Sequence, residues 1–171
     1  MTTPTAAIDE ALHTISVYVA NKPGVLARVA QVFARRGYNI DSLVVSPSKD
    51  GRYSRMTITA KGSLEGLGQI MGQAGKLVDV MHCTDHSQDD AVTREMALIK
   101  IGADTKERTE ALQICDHFAA KTVDLTDTSM IIMVTGVTDK VDACLGMLSK
   151  FRLIEVVRTG RVVMARGDQE T

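Results

Sequence analysis

Residues 21–40 read Asn-Lys-Pro-Gly-Val-Leu-Ala-Arg-Val-Ala-Gln-Val-Phe-Ala-Arg-Arg-Gly-Tyr-Asn-Ile, and this stretch decides the fold of the chain. An alternating apolar pattern leads into it, which predicts a half-buried strand before Asn21. Pro23 and Gly24 then interrupt the strand, because proline offers no amide hydrogen to a ladder and glycine accepts unusual backbone angles. The residues that follow have apolar side chains at helical spacing, which predicts an amphipathic helix with this apolar face: Leu26, Val29, Ala30 and Phe33.

The end of the stretch predicts the end of that helix. Gly37 stands where a helix commonly closes with a left-handed residue, and a second strand is predicted to begin at Tyr38. The start of the helix matters more for function, because its first amide hydrogens have no partner inside the helix and carry partial positive charge. Such a terminus binds small anions, including carboxylates, and the Asn21 amide can both donate and accept hydrogen bonds. Spacing alone favours the alternative, an ordinary strand-to-helix turn without a ligand.

The composition is typical of a soluble globular protein, with 44% hydrophobic and 24% charged residues in a chain of 171. A net charge of −1 argues against general nucleic-acid affinity, since phosphate binding needs a basic face. No apolar run in the sequence reaches the length that spans a bilayer, and the first residues do not resemble a signal peptide. Three scattered cysteines give no disulfide framework and suit a reducing compartment, so we expect a cytoplasmic protein.

The predicted elements form the same pattern twice. In the first half, strands are expected at residues 12–20, 38–46, 53–61 and 77–83, with helices at 24–36 and 64–74. In the second half, strands are expected at 94–103, 122–126, 129–137, 153–159 and 162–165, with helices at 105–119 and after a Thr138 N-cap. The order β-α-β-β-α-β predicts an α+β chain of two ferredoxin-like domains. We predict a leader at 1–11, a first domain at 12–84, a linker at 85–93 and a second domain at 94–171.

Several details qualify this prediction. The second helix is weakened by Gly66, Gly68 and Gly72, each of which costs about 1 kcal/mol relative to alanine. These glycines also miss the spacing of a dinucleotide-binding fingerprint and lie within a helix rather than after a strand. In the second half, we expect the helix at 105–119 to bury Leu112, Cys115 and Phe118.

Candidate catalytic and metal-binding groups are sparse. His82, Cys83 and His86 could supply metal ligands, but a closed zinc site needs a fourth ligand that is not evident nearby. No serine or cysteine lies in a recognisable activating motif, and Cys115 and Cys144 fall on apolar helix faces. We therefore predict a binding loop, with neither catalytic nor metal-binding residues in this chain.

Five segments together resemble the ACT domain and the remainder of the small, regulatory subunit of acetolactate synthase (acetohydroxyacid synthase). They are NKPGVLARV at 21–29, RRGYNIDSL at 35–43, SRMTI at 54–58, KLVDV at 76–80 and RGD at 166–168. The resemblance extends over residues 13–168. A Gly-Val-Leu loop alone would indicate only some ACT domain, whereas the combination is far more specific.

The resemblance implies where an effector binds. In this family two ACT domains pair their sheets edge to edge, and an effector amino acid lies at the interface. The residues implied for one wall are Asn21, Pro23, Gly24, Val25 and Leu26. Asn39 and Ile40 of the second copy would complete the site; without a partner, Asn39 is an ordinary turn residue. Pro23 leaves this loop with one amide donor fewer.

The resemblance also implies partners. A separate catalytic large subunit would carry thiamine diphosphate, Mg²⁺ and FAD, and this chain would bind none of them. The small subunit would activate that enzyme of branched-chain amino acid biosynthesis and confer feedback inhibition by valine, leucine or isoleucine. Two alternatives remain open at this point: an ACT-domain sensor that regulates another enzyme or transporter, and a small enzyme of unrecognised type. Positions around Ser54 and Arg55 are candidates for the contact with the catalytic chain.

Overall fold

The computed structural model describes residues 11–87 and 91–171, which form two compact α+β units. The first unit contains the described residues up to 92 together with 163–171, and the second contains 93–162. Residues 1–10 of the predicted leader and residues 88–90 of the predicted linker lie outside the described residues. The sequence assigned residues 163–171 to the second domain, whereas the structure groups them with the first unit.

The first unit has the predicted order of elements. They are β1 (Ala11–Ala20), α1 (Val25–Arg35), β2 (Ile40–Pro47), β3 (Tyr53–Gly62), α2 (Leu64–Ala74) and β4 (Val80–Asp85). The strands form an antiparallel sheet in the order β2-β3-β1-β4, so β2 and β4 are its edges. Alternate residues of β1 and β3 pack with both helices in one core, which leaves the opposite side chains of these strands on the other face of the sheet.

The second unit repeats this architecture. Its elements are β5 (Val92–Gly102), α3 (Thr105–His117), β6 (Lys121–Leu125), β7 (Ser129–Gly136), α4 (Thr138–Leu148) and β8 (Arg152–Arg158). The unit ends at Val162, the first residue of β9 (Val162–Met164). The strand order β6-β7-β5-β8 is the counterpart of the first sheet, with antiparallel pairing throughout. The prediction of two ferredoxin-like β-α-β-β-α-β units in an α+β chain is therefore confirmed.

A turn separates the end of α1 from the start of β2, whereas the sequence predicted that the strand follows Gly37 directly. Gly37 is left-handed with φ of 72°, as predicted. Its N–H bonds the Ala34 carbonyl at 3.0 Å, and the Tyr38 N–H bonds the Phe33 carbonyl at 3.1 Å. These are the two bonds of a Schellman motif, which satisfy carbonyls left over at the helix end. The prediction that β2 begins at Tyr38 was wrong because this motif uses the Tyr38 amide, and β2 begins at Ile40.

Strand β4 also begins later than predicted, at Val80 instead of Leu77. The apolar Leu77-Val78 pair suggested a strand, but Val78 is 94% exposed. The amides of Leu77 and Val80 donate to the carbonyls of Ala74 and Leu77, which folds the segment into turns. This segment therefore forms hydrogen-bonded turns instead of the strand pairing that its apolar pattern predicted.

The buried faces of α1 and α3 are rotated about the helix axis relative to the predicted faces. In α1 the buried residues are Val25, Val29, Val32 and Phe33, whereas Leu26 is 42% exposed. In α3 the buried residues are Ala111, Ile114 and Cys115, whereas Leu112 is 43% exposed, so its predicted burial was wrong. Val137 is the N-cap of α4 in place of Thr138, whose hydroxyl instead accepts a bond from Arg161.

The glycines around α2 make room for an aromatic ring. A Cβ added at Gly62 would lie 2.1 Å from Cε1 of Tyr38, and one added at Gly66 would lie 1.7 Å from its hydroxyl oxygen. A Cβ at Gly68 or Gly72 would meet nothing within 4 Å. The Tyr38 ring therefore occupies space that is available only because residues 62 and 66 are glycine. Helix propensity counts these glycines only as a cost, so it does not predict this tertiary contact.

We expect Gly66→Ala to lower the free energy of unfolding by about 1–3 kcal/mol, because overpacking outweighs the gain in helix propensity. The matched variant Gly68→Ala should raise it by up to about 1 kcal/mol. Adding Tyr38→Phe to Gly66→Ala removes the colliding hydroxyl and should recover part of the loss. Urea unfolding of the variants measures all three effects, and equal stabilisation by both alanines would contradict the close packing of Tyr38 against Gly66.

Candidate functional site

The turn between β1 and α1 ends in an uncapped helix. Gly24 is the N-cap residue with φ of 83°, a left-handed angle that disfavours residues with side chains, and no side chain caps the helix. The Val25 amide bonds the Lys22 carbonyl at 3.4 Å. The amides of Leu26 and Ala27 have no partner among the described residues. Two donors at the positive end of the helix are therefore available to an anion.

Asn21 ties this turn to the hairpin between β2 and β3. Its side-chain nitrogen donates to the Gly51 carbonyl at 2.9 Å, and its backbone N–H donates to the Arg52 carbonyl at 2.9 Å. The side-chain oxygen of Asn21 has no partner among the described residues, so it can accept a hydrogen bond from a cation such as an ammonium group.

Charged side chains brace the same turn. Arg28 forms an ion pair with Asp79, and the Lys22 ammonium lies 3.8 Å from the same carboxylate. The Arg28 Nη1 lies 3.9 Å from the place where a Gly24 side chain would begin. The guanidinium thus adds positive charge beside the open amides, while its pairing with Asp79 fixes its position.

The residues predicted for the first wall do not all face outward. Val25 is 2% exposed and its side chain packs in the core, so only its backbone can contribute to a site. Asn21, Pro23, Gly24 and Leu26 are exposed. The outward position of Leu26 supplies an apolar group next to the open amides, a role that its predicted burial would have prevented.

Asn39 and Ile40 lie at the other end of α1. The helix has 11 residues, so its two ends are about 16 Å apart. Asn39 donates to the Asp41 carboxylate at 3.1 Å and lines a cleft of about 450 Å³ with Tyr38 and Lys61. One chain therefore does not bring the two predicted sets of residues to a single pocket.

In the second unit, the corresponding helix N-terminus, that of α3, is capped by a side chain of the chain itself. Asp104 caps α3 by accepting from the amides of Lys106 and Glu107, and the Glu107 carboxylate accepts from the Asp104 amide. These backbone bonds, led by the one from Glu107, lower the pKa of the Asp104 carboxyl. A carboxylate of the chain itself thus occupies the position that remains open in α1.

The histidines and cysteine considered as metal ligands serve other contacts. The His82 ring stacks on Tyr18 at 5.1 Å between centroids, and His86 Nε2 lies 2.8 Å from the Ser16 hydroxyl. Burial raises the pKa of the Cys83 thiol to about 11. Within residues 11–87 and 91–171, no group of three His, Cys, Asp or Glu side chains could hold a metal ion.

The other two thiols are buried in the second core. Burial raises the pKa of Cys115, and it raises that of Cys144 to about 11. Both thiols are thus protonated at neutral pH, whereas a nucleophilic cysteine needs a lowered pKa. Their predicted role as core residues is confirmed by exposures of 2% and 0%.

Comparison with known proteins identifies the family. Residues 15–82 match the family model described as the AHAS small subunit-like ACT domain, and residues 94–167 match that of the small subunit of acetolactate synthase. A probable acetolactate synthase small subunit of Archaeoglobus fulgidus is 40% identical over 158 residues, covering 92% of this chain and 99% of that protein. The chain belongs to the acetolactate synthase small-subunit family.

Two further relatives agree with this assignment. The acetolactate synthase small subunit of Mycolicibacterium smegmatis is 41% identical over 155 residues, covering 91% of each chain. The crystal structure of the small subunit from Thermotoga maritima superposes with a TM-score of 0.84 at 39% identity, covering 93% of this chain and 99% of that one. No described helix of this small-subunit family member is long and apolar enough to cross a membrane.

Proposed function

We propose that this chain is the non-catalytic regulatory subunit of acetolactate synthase, acting in the cytoplasm, and that it binds valine or another branched-chain amino acid at the start of α1. The observation that carries the proposal is the uncapped terminus, where Gly24 leaves the amides of Leu26 and Ala27 without partners. These donors suit the amino acid carboxylate, the Asn21 oxygen suits its ammonium, and the exposed Leu26 side chain suits its branched apolar group.

The complete site requires a second copy of the chain. The residues predicted for the two walls lie at opposite ends of α1, so an adjoining protomer must supply Asn39 and Ile40. Among the described strands, β2 is an edge of its sheet, and one row of its backbone groups can pair with another strand. Pairing of β2 with the β2 of a second copy gives a closed twofold dimer and two equivalent effector sites.

Feedback control then follows from linkage. An effector held by two protomers stabilises the arrangement that binds it best, and it changes the activity of the complex only through a difference in affinity between two states. A coupling of about 1–3 kcal/mol changes an affinity by 5- to 150-fold, which is sufficient for control. The catalytic large subunit would supply thiamine diphosphate, Mg²⁺ and FAD, and this chain would supply the amino-acid site.

Reconstitution tests this function directly. Acetolactate formation by the catalytic subunit should rise on addition of this chain and fall on further addition of L-valine. D-Valine is a matched control because it has the same charge and apolar group, but it cannot place all three groups on the same partners. Acetolactate formation by this chain alone would overturn the non-catalytic assignment. L-Valine binding without any effect on the catalytic subunit would instead identify a sensor for another enzyme or transporter.

A further inference from the structure

One carboxylate near the start of α1 faces two cations. The Asp79 carboxylate pairs with the Arg28 guanidinium, and the Lys22 ammonium lies 3.8 Å from it. Neither cation has another acidic partner in the part of the chain that the structure describes. The first turn of α1 contains no acidic residue either. Two positive charges against one negative charge therefore leave one positive charge uncompensated beside the open amides.

The Arg28 guanidinium lies at the end of the helix that disfavours a cation. Arg28 is four residues after Gly24, so the two residues share one face of α1, and the Arg28 side chain extends back towards the N-terminus. A cation is destabilised there, because the helix N-terminus itself carries partial positive charge. A bound anion would face both the guanidinium and the open amides, and it would turn this repulsion into attraction.

The two terminal nitrogens of Arg28 have different surroundings. Nη2 donates to the Asp79 carboxylate. Nη1 has no partner among the described residues and lies 3.9 Å from the place where a Gly24 side chain would begin. The Arg28 side chain is 48% exposed, so a solute can reach it. A guanidinium presents its N–H groups as a planar fork, which allows one half to bond Asp79 while the other half bonds a ligand.

The backbone holds Asp79 in place. Its carbonyl accepts from the Ala20 amide at 2.8 Å, which attaches Asp79 to the residue before Asn21. The Asp79 side chain is only 16% exposed. Because Asp79 restricts the Arg28 side chain before a ligand arrives, binding does not bear the full entropic cost of ordering that side chain.

We propose that Arg28 binds the effector carboxylate through Nη1, and that Asp79 is a positioning residue that holds the guanidinium for this contact. This inference rests on the proposed function and names the class of effector, an amino acid with a free, charged carboxylate. An amino acid amide keeps a carbonyl acceptor but has no negative charge, so it loses the stronger, charge-assisted hydrogen bond to Arg28. The site would therefore distinguish free amino acids from their amides.

Calorimetry of the full chain with L-valine and L-valinamide tests the role of Arg28. Valinamide has the same ammonium and the same branched side chain as valine. Arg28→Gln should weaken valine binding by about 10-fold or more, as expected for the loss of a hydrogen bond to a charged group. It should weaken valinamide binding much less, so the preference for valine falls by nearly the same factor. A change that only loosened the turn would weaken both ligands equally.

Arg35→Gln is the matched control for Arg28→Gln. Arg35 is an exposed arginine in the last turn of the same helix, so the substitution removes the same charge at the opposite end of α1. It should bind valine and valinamide as the unmodified chain does. Cooperative urea unfolding establishes that both variants are folded.

Asp79→Asn tests the positioning role. Alone, it should weaken valine binding by about 3- to 10-fold, because the Arg28 side chain is then ordered only by the ligand. Added to Arg28→Gln, it should have no further effect, because Asp79 acts through Arg28. An equal loss in both backgrounds would overturn the positioning role.

The outcomes for the unmodified chain and for Arg28→Gln separate this inference from the proposed function. If the unmodified chain binds valine and Arg28→Gln shows the same preference for valine over valinamide, the role of Arg28 is overturned and the effector site remains. If the unmodified chain does not bind valine, both the effector site and the role of Arg28 are overturned.

Discussion

The variant Gly24→Asp is expected to weaken inhibition of the reconstituted enzyme by valine strongly, while activation by the small subunit survives. The substitution places a carboxylate beside the amides of Leu26 and Ala27, where the effector carboxylate would lie. It also forces a residue with a side chain to adopt φ of 83°. Hydrogen bonds to a charged group contribute about 1.5–3 kcal/mol, so the valine concentration for half-inhibition should rise by about 100-fold. Activity assays over a valine titration measure the change.

A control variant should introduce the same backbone strain at a position away from the proposed effector site. Gly167 also has a positive φ, of 68°, with nothing within 4 Å of an added Cβ. Gly167→Asp therefore introduces the same side chain and the same kind of strain outside the α1 turn. It should lose a similar amount of stability but keep its response to valine. Unchanged valine inhibition in Gly24→Asp would show that the effector binds elsewhere.

Sequence alone located the glycine turn but not which of its side chains point outward. The pattern Pro-Gly followed by apolar residues predicted a helix start, and the structure adds the left-handed angle and the two open amides. The sequence placed Leu26 in the core, because an apolar residue at helical spacing is normally assigned to the buried face. The true core face begins one residue earlier, at Val25, and only tertiary packing against the sheet determines that phase.

The order of helices and strands was predictable from local sequence patterns. The wrong predictions of where strands begin have a common cause. Periodicity and turn residues gave both β-α-β-β-α-β units, because strand and helix patterns are local properties of a sequence. The misplaced starts of β2 and β4 arose where backbone amides donate to turns, which apolar patterns do not encode. The packing of Tyr38 over Gly66 lay beyond prediction because the two residues meet only in the folded chain.

A buried charged residue of the second unit gives the largest expected effect on stability. Glu95 lies on β5 two residues before Ala97, so it points to the same face as the core residues, and its side chain is 4% exposed. Arg158 on β8 pairs with Glu95 and also donates to Asp142 at 2.6 Å. Arg158→Met should lower the free energy of unfolding by about 3 kcal/mol, because it leaves a buried carboxylate without its counter-ion. Urea unfolding of the purified variants provides the measurement.

Two comparisons show whether the loss comes from the buried charge rather than from lost packing. Adding Glu95→Gln to Arg158→Met removes the isolated charge, so the double variant should be more stable than the single one. Asp142→Asn removes the outer partner, whose side chain is 54% exposed, and should cost less than about 1 kcal/mol. If Asp142→Asn destabilises as much as Arg158→Met, the three groups act as one network and the buried pair is not the dominant interaction. The order of these three stabilities therefore distinguishes a desolvated ion pair from a shared surface network.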